Sequence, residues 1–573
     1  MPRMTGKRAL VEMLRAEKVP YVFGNPGTTE LPFMDALQDA PGIQYITALF
    51  EGVAAGMADG YARATQKPSF MNLHISVGVA NAIAVIYNAW RGGTPMVITA
   101  GQADSSFHLH SPTLYSNMVN VMREYTKWSG EVRHPWDVPS MIRRAFKIAS
   151  TPPTGPVFLS LTWDAMNGED DIDIEPSIHD YFRVRPDIQA IKKASNILSK
   201  STNPIILVGD RVSQSPGAPL LVAKLAKQIG APVYAPTTLS EVHIPTSDPH
   251  YLGTFETSWM DHKLKLRIDK ADTVVTLGID ALIQFIPTPE RPFTGKPKIV
   301  HLDSSDWAIQ RSYPVAAGIL SDIKTGLEEL TAALSSSLNA DTKKKASSRS
   351  AAISREKLEL KENFLVRAKD KWSNQPISSE RFAIEMANAL PKDAIFCDDS
   401  ITNRGNLMNA ITFDEPGSLF AQRGGSLGSA MGSALGIKLA DPKRPVVAVV
   451  GDGTAMYAIQ ALWTASAYNI PVTYVFCNNG NYKVLHEGMA RYLTGTERES
   501  EYIGMDFSRL PLDFVKMAAA FGIDGVRVDN PDDLGAVLKN AIGAERPRVV
   551  EVMMENDIDP DRLQGQWGSW FRL

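Results

Sequence analysis

Asp452 stands between two glycines in "VVGDGTAMYAIQALWTASAYNIPVTYVFCNN", residues 449–479, and a pair of asparagines closes the same stretch. Neither residue type suits a buried strand, and glycine weakens one. "PVVAVV" reads as a short strand buried on both faces and Thr454 to Tyr468 as a helix, so Gly451-Asp452-Gly453 is a strand-to-helix turn. Such turns lie at the carboxyl edge of a parallel sheet, where α/β proteins hold ligands. The helix start offers unpaired N–H groups and a positive dipole end, both suited to phosphate. Asp452 would repel that phosphate unless a cation lay between them, and magnesium takes carboxylate, amide and phosphate oxygens together. "VTYVFC" is the next strand, so Asn479, 27 positions on (479 − 452), leaves at the same edge. Either turn alone is ordinary; on adjoining strands of one βαβ unit they describe a metal-bridged diphosphate site.

The elements needed to carry such a site recur along the chain. Short β-branched runs alternate with helical patterns, which predicts an α/β protein with three doubly wound parallel-sheet domains. The first, residues 1–185, holds "YVFG", "YITALF", "SFMNLHI", "PMVITAG" and "PVFLSLT". The second, 186–335, holds "PIILVGD", "APVYAPT", "TVVTLGI" and "KIVHLD". Residues 336–377, rich in Ser and Lys, read as a linker that becomes a solvated helix. The third domain, 378–573, holds "AIFCDD", "VVAVVGDG", "VTYVFCNN" and "RVVEVMM".

A length of 573 residues is too great for one core, which agrees with that division. A net charge of -4 offers no field to attract nucleic acid or an anionic membrane. Cys397 and Cys477 are the only cysteines, too few for a disulfide scaffold or a cysteine-rich metal site. The charged amino-terminal segment is not a signal peptide, and no run approaches the roughly 20 apolar residues of a membrane span. A cytoplasmic location is expected.

The segment "GDGTAMYAIQ…CNNGNY" resembles the diphosphate and metal motif of thiamine diphosphate-dependent enzymes. The likeness runs over almost the whole chain. Within the family it is strongest to benzoylformate decarboxylase, through "VFGNPGTTELPF", "FEGVAAGMADGYA", "NLHISVGVANA", "NAW", "TAGQ" and "ALWTASAYNIP". The resemblance implies thiamine diphosphate and Mg2+ as cofactors. It implies Asp452 and Asn479 as side-chain metal ligands, Asn481 as a ligand through its carbonyl, and Gly453, Thr454 and Tyr457 against the diphosphate. Glu51 falls where the family keeps the glutamate that hydrogen-bonds the pyrimidine ring, and a carboxyl in an apolar pocket there can share a proton with it. In "QRGGSLGSAMG", Leu427 matches the wedge under the bent cofactor and Gly425 the carbonyl that accepts from its amino group. His74 falls at the place of an acid-base histidine, and Thr28 at that of a serine that meets the substrate carboxylate. The family builds its site between the first domain of one subunit and the third of another, so a homodimer or homotetramer is implied.

Departures from the pattern bear on the substrate. Phe285 stands where the subfamily has a second histidine. In "KVLHEGMARYL", Gly488 replaces a large aromatic residue, Val484 and Leu485 are apolar, and Lys483 and His486 add polarity. His108 and His110 lie in a loop that could approach the pocket and supply the missing acid-base group. The expected activity is non-oxidative decarboxylation of a 2-oxo acid, aliphatic or polar rather than benzoylformate, with carboligation to an aldehyde acceptor open to the same chemistry. An acetolactate synthase-like carboligase is the alternative. A thiamine diphosphate-binding protein without turnover is more remote, since binding alone does not require Glu51. A dinucleotide-binding dehydrogenase is excluded, because no G-x-G-x-x-G turn follows a strand with an acidic residue about 20 positions on.

Overall fold

Runs such as Val157–Thr162 and Val446–Gly451 are apolar or small at successive positions rather than at alternate ones, the pattern of strands covered on both faces. In the computed structural model, which describes residues 2–178, 183–236, 239–255, 262–280, 293, 295–493, 500–507 and 509–558, they lie inside wholly parallel sheets. There are three such sheets among the described residues, each of six strands, as expected for three doubly wound units. The first runs, edge to edge, Gln44–Thr47, Tyr21–Asn25, Ser69–Leu73, Met96–Gln102, Val157–Thr162 and Trp128–Val132. The second runs Tyr251–Phe255, Val233–Pro236, Pro204–Val208, Thr273–Leu277, Lys298–Asp303 and Ala317–Leu320. The third runs Leu419–Ala421, Ile395–Asp399, Val446–Gly451, Val472–Asn478, Arg548–Met553 and Asp524–Val528. A small antiparallel pair, Arg3–Thr5 with Glu169–Asp171, ties the two ends of the first unit.

In the first and third sheets the first strand in sequence has its second strand on one side and its third on the other; in the second sheet the fourth strand takes that far side and the third lies at the edge. The connections therefore diverge at that point and open a crevice at the carboxyl edge. In the first sheet the crevice lies between the ends of Tyr21–Asn25 and Ser69–Leu73. In the third it lies between Ile395–Asp399 and Val446–Gly451.

The first and third units share a core in which Met57, Ile86 and Ala54 pack with Met431, Leu435 and Phe476. Small residues make this possible. On the helix Glu51–Thr65, Gly56 and Gly60 are one turn apart, as are Gly432 and Gly436 on the helix Ser429–Ala440. A Cβ on Gly60 would stand 2.2 Å from the Ser433 carbonyl oxygen, and one on Gly436 2.0 Å from that of Met57. The two backbones touch because no side chain intervenes.

The Ser- and Lys-rich segment forms the helix Ala340–Asp370, burying only Ala346, Ile353, Phe364 and Ala368. Among the described residues no helix is long and apolar enough to cross a membrane. Cys397 and Cys477 are free and buried, and burial pushes the Cys397 thiol up to about 12.

Candidate active site

Two crevices, in the first and third sheets, carry the residues singled out above. In the first, the strand Ser69–Leu73 ends at His74, which caps the helix Ile75–Gly92. The following Ile75 has φ 36, a β-branched residue in the left-handed region, so the turn beside the histidine is strained. His74 Nδ1 lies 2.8 Å from Oε2 of Glu30, whose side chain is wholly out of solvent. The N–H groups of Gly27 and Gly101 donate to that carboxylate at 2.9 Å each, and Thr29 Oγ1 donates at 2.8 Å. With Glu30 Oε2 as the acceptor, Nδ1 carries the proton it donates and Nε2 is the ring nitrogen left to accept. Thr28 begins the turn immediately before Thr29 and is exposed. The chain passes so close that a Cβ on Gly27 would stand 2.1 Å from His74 Nδ1.

Sequence reasoning did not single out Glu30. Its i, i+3 spacing from Gly27 is that of the glutamate in a capping box, and its carboxylate accepts from the Gly27 N–H as that glutamate does. That spacing was the available signal.

Glu51 opens the helix Glu51–Thr65 from the end of the same sheet and is 7% exposed. Its carboxylate accepts from Asn81 Nδ2 at 3.0 Å and from Asn25 Nδ2 at 3.4 Å. The expected apolar pocket is thus corrected: two amides hold the carboxyl, one from the helix Ile75–Gly92 and one from the adjoining strand end. The first crevice therefore brings together Glu51, His74 and Thr28.

In the third sheet, Asp452 follows the strand Val446–Gly451 and is almost buried. Gly453 N–H donates to it at 2.7 Å, Asn479 N–H at 2.9 Å and Gly480 N–H at 2.8 Å. Even so, burial pushes its carboxyl up to about 6. A carboxylate short of counter-charge is where a divalent cation is most stabilising. Asn479 Oδ1 accepts from Asn481 N–H at 3.1 Å, and Asn481 Oδ1 is buried without a hydrogen-bond partner. Gly480 C=O and Tyr482 N–H pair with Phe507 and Met505, so by strand alternation the backbone groups of Asn481 face the other way. One carboxylate, amide oxygens and a free carbonyl form a donor set that suits Mg2+. Among the described residues no cluster of three or more His, Cys, Asp or Glu offers another metal site.

Gly453 and Thr454 are buried at the turn, and Tyr457 is 55% exposed. Gly453 needs its missing side chain, since a Cβ would stand 2.5 Å from the Tyr482 ring. Gly425 has φ 101 and nothing within 4 Å of an added Cβ, so its peptide borders open space; Leu427, two residues on, is half-buried.

The flank of the site differs from expectation. On the helix Lys483–Leu493, Lys483 Nζ donates to the Glu555 carbonyl at 3.2 Å. His486 is 8% exposed, stacks on Tyr502 at 4.0 Å and has Nε2 3.2 Å from the Met505 carbonyl. Neither adds polarity to the open face, which carries Val484, Leu485 and the bare Gly488. The helical period puts 484, 485 and 488 on one side and 483 and 486 off it, and the contacts to Glu555, Tyr502 and Met505 decide which side is open. His108 Nε2 lies 3.0 Å from the Ala103 carbonyl and its ring rests on Tyr115, while His110 is exposed. Their loop is tied beside His74 through Ser76, whose hydroxyl donates to Leu114 C=O at 2.6 Å. Phe285 lies outside the described residues.

Residues 4–118 match the N-terminal TPP binding domain of thiamine pyrophosphate enzymes, residues 191–330 the central domain, and residues 403–552 the C-terminal TPP binding domain. Benzoylformate decarboxylase of Pseudomonas aeruginosa is 30% identical over 556 residues, covering 95% of this chain and 98% of that protein. The acetolactate synthase large subunit of Haemophilus influenzae is 28% identical, covering 99% and 97%. Among solved structures, the thiamine diphosphate-dependent 4-hydroxybenzoylformate decarboxylase of Rhodococcus jostii RHA1 superimposes with a TM-score of 0.82 at 25% identity, over 97% of this chain and 100% of that one.

Proposed function

The chain belongs to the thiamine pyrophosphate enzyme family, and from that premise we propose that it decarboxylates a 2-oxo acid without oxidation, in the manner of benzoylformate decarboxylase. The observation that carries this reading is His74 fixed on the buried carboxylate of Glu30, at the crevice that also holds Glu51 and Thr28. A diphosphate turn alone would serve any member of the family. A histidine with Nδ1 committed and Nε2 free serves a reaction that must move a proton at the carbon losing CO2.

In this reading Asp452, Asn479 and the carbonyl of Asn481 hold Mg2+, and Gly453, Thr454 and Tyr457 meet the diphosphate of thiamine diphosphate. When bound, the cofactor supplies a carbon nucleophile and a sink for the electron pair that CO2 leaves behind. The Gly425 carbonyl would accept from the cofactor's amino group, and Leu427 would pack against the cofactor. Glu51 holds a proton at the pyrimidine ring, oriented by Asn81 and Asn25. Thr28 offers a hydroxyl to the substrate carboxylate, and His74 Nε2 gives and takes the proton at the reacting carbon and its oxygen.

The open face of Val484, Leu485 and Gly488 favours an apolar substituent, and the missing aromatic side chain at 488 favours an aliphatic one. The site lies between subunits of a homodimer or homotetramer, in the cytoplasm. Coupling of the acyl unit to an aldehyde acceptor needs no residue beyond these.

A substrate screen of the purified protein with magnesium and thiamine diphosphate tests the reading. Pyruvate, branched and straight aliphatic 2-oxo acids and benzoylformate are followed by CO2 release, and products are identified. The expected outcome is free aldehyde, with the highest kcat/KM on an aliphatic acid. Higher kcat/KM on benzoylformate overturns the substrate preference. Acetolactate from pyruvate as main product replaces the reading with the acetolactate synthase-like one.

A further inference from the structure

The segment that carries Gly425 and Leu427 is held by the two other units of the chain. Ala421 N–H donates to the Ser240 carbonyl at 2.8 Å. Arg423, 2% exposed in its side chain, donates through Nη1 to the Gly92 carbonyl at 2.9 Å and through Nη2 to Glu241. Ser426 is gripped by both its backbone groups. Its N–H donates to Asn88 Oδ1 at 2.9 Å, and its C=O accepts from Asn88 Nδ2 at 2.8 Å. Gly424 must be a glycine for this grip, since a Cβ there would stand 2.5 Å from Asn88 Oδ1. Asn88 is 3% exposed, so no water competes for its amide.

Asn88 lies on the helix Ile75–Gly92, seven residues after Asn81 and therefore on the same face two turns along. That helix thus has His74 at its cap, holds Glu51 through Asn81, and holds the peptide between Gly425 and Leu427 through Asn88. One rigid element sets the position of three features, two at the first crevice and one beside the third. The "NAW" motif contributes the third of them.

We propose that Asn88 is a positioning residue: its amide clamps the Ser426 peptide and so fixes where the Gly425 carbonyl and the Leu427 side chain stand, with Arg423 as the second anchor. This rests on the functional reading above, in which those two groups bend the cofactor. A carboxamide suits the task because only it offers a donor and an acceptor side by side. Loss of the clamp leaves the metal and diphosphate ligands untouched, so it separates cofactor retention from cofactor activation. A shift of about 1 Å in a group that orients reactants can cost about 10²-fold in rate.

The test uses Asn88→Ala and Gly424→Ala in the full-length protein, the second dislodging the amide without deleting it. Two readouts other than turnover are taken: calorimetric affinity for thiamine diphosphate at saturating magnesium, and exchange of the cofactor's C2 proton for deuterium by quenched NMR. The circular-dichroism band of the bound aminopyrimidine is recorded beside them. Expected are affinities within roughly tenfold of the parent, C2 exchange lowered about 10²-fold and an altered band. Either variant, folded and exchanging at the parental rate, overturns the proposal. If neither folds with the parental far-ultraviolet spectrum, the contact is a folding element and the proposal also falls. A parent protein that binds no thiamine diphosphate would instead refute the functional reading itself.

Discussion

Replacing Glu30 by glutamine would keep the shape of the pocket and remove the charge that holds His74. The imidazole then loses the partner that fixes its tautomer, while no metal or diphosphate ligand changes. We expect kcat/KM to fall by about 10²-fold or more, the range of a misplaced acid-base group, with thiamine diphosphate affinity unaltered. Parental kcat/KM in Glu30→Gln would remove His74 from the chemistry. Glu51→Gln makes a complementary case: it keeps a hydrogen bond to Asn81 or Asn25 but cannot share a proton with the ring. C2 exchange should drop by about 10²-fold or more while calorimetry finds the cofactor bound. Retained exchange in that variant would count against the role given to Glu51.

Helices and strands place a second kind of group, which the proposed chemistry does not use. The strand Ile395–Asp399 ends beside the helix Ser429–Ala440, where Ala430 N–H donates to Asp399 Oδ2 at 3.3 Å and Oδ1 has no partner. Burial pushes this carboxyl from its ordinary 3.8 up to about 7. A carboxyl raised on folding contributes its full stability below about pH 4, where both states are protonated. It loses that contribution as pH rises towards 7, because the unfolded chain releases the proton first. Asp399→Asn removes the proton and the dependence together. In urea unfolding of the cofactor-free protein, its stability relative to the parent should rise with pH by at most about 1.4 kcal/mol per unit between pH 4 and 7, then level off. A difference that is flat with pH would mean that Asp399 is ionised throughout. The strained Ile401, φ 53, follows in the same turn.

The whole molecule meets at Glu241, in the segment after Val233–Pro236. Its Oε1 accepts from Arg63 Nε at 2.9 Å and from Arg423, so one carboxylate serves guanidinium groups of the first and third units. All three side chains are nearly or wholly buried. Glu241→Ala would take the carboxylate partner from buried Arg423 and leave Arg63 with Asp59 alone, and should destabilise the fold by about 3–5 kcal/mol in denaturant titration, far more than a surface ion pair. An effect under about 1 kcal/mol would mean that water reaches the junction. Assembly provides a second test at this scale. If the site joins Glu51 of one subunit to Asp452 of another, chains with Glu51→Gln and chains with Asp452→Ala are each inactive alone. Their mixed dimers hold one site with both residues intact. Co-expression in equal amounts should restore about a quarter of the parental activity, half the dimers being mixed and each with one live site of two. No recovery, with mixed dimers shown by mass spectrometry, would place both residues in a single-chain site.

The amino-acid sequence alone determined what depends on local pattern. Apolar strands alternating with helices predicted three parallel-sheet units, because a strand buried on both faces must be apolar throughout. Asp452 and Asn479 were legible as a pair, because two turns that are ordinary singly leave adjoining strands at one sheet edge. The spacing of Gly56 and Gly60, and of Gly432 and Gly436, was equally visible, but not that the two helices would touch. Tertiary structure decided which distant groups meet. Glu30 finds His74 across two strands, Asn88 reaches Ser426 from another unit, and Glu241 joins two arginines. It also turned Lys483 and His486 away from the face expected to carry them. A side chain's direction depends on the helix's rotation against its neighbours, and packing rather than periodicity sets that rotation. Local spacing names the residues that want a partner; only the folded chain says which partner is within 3 Å.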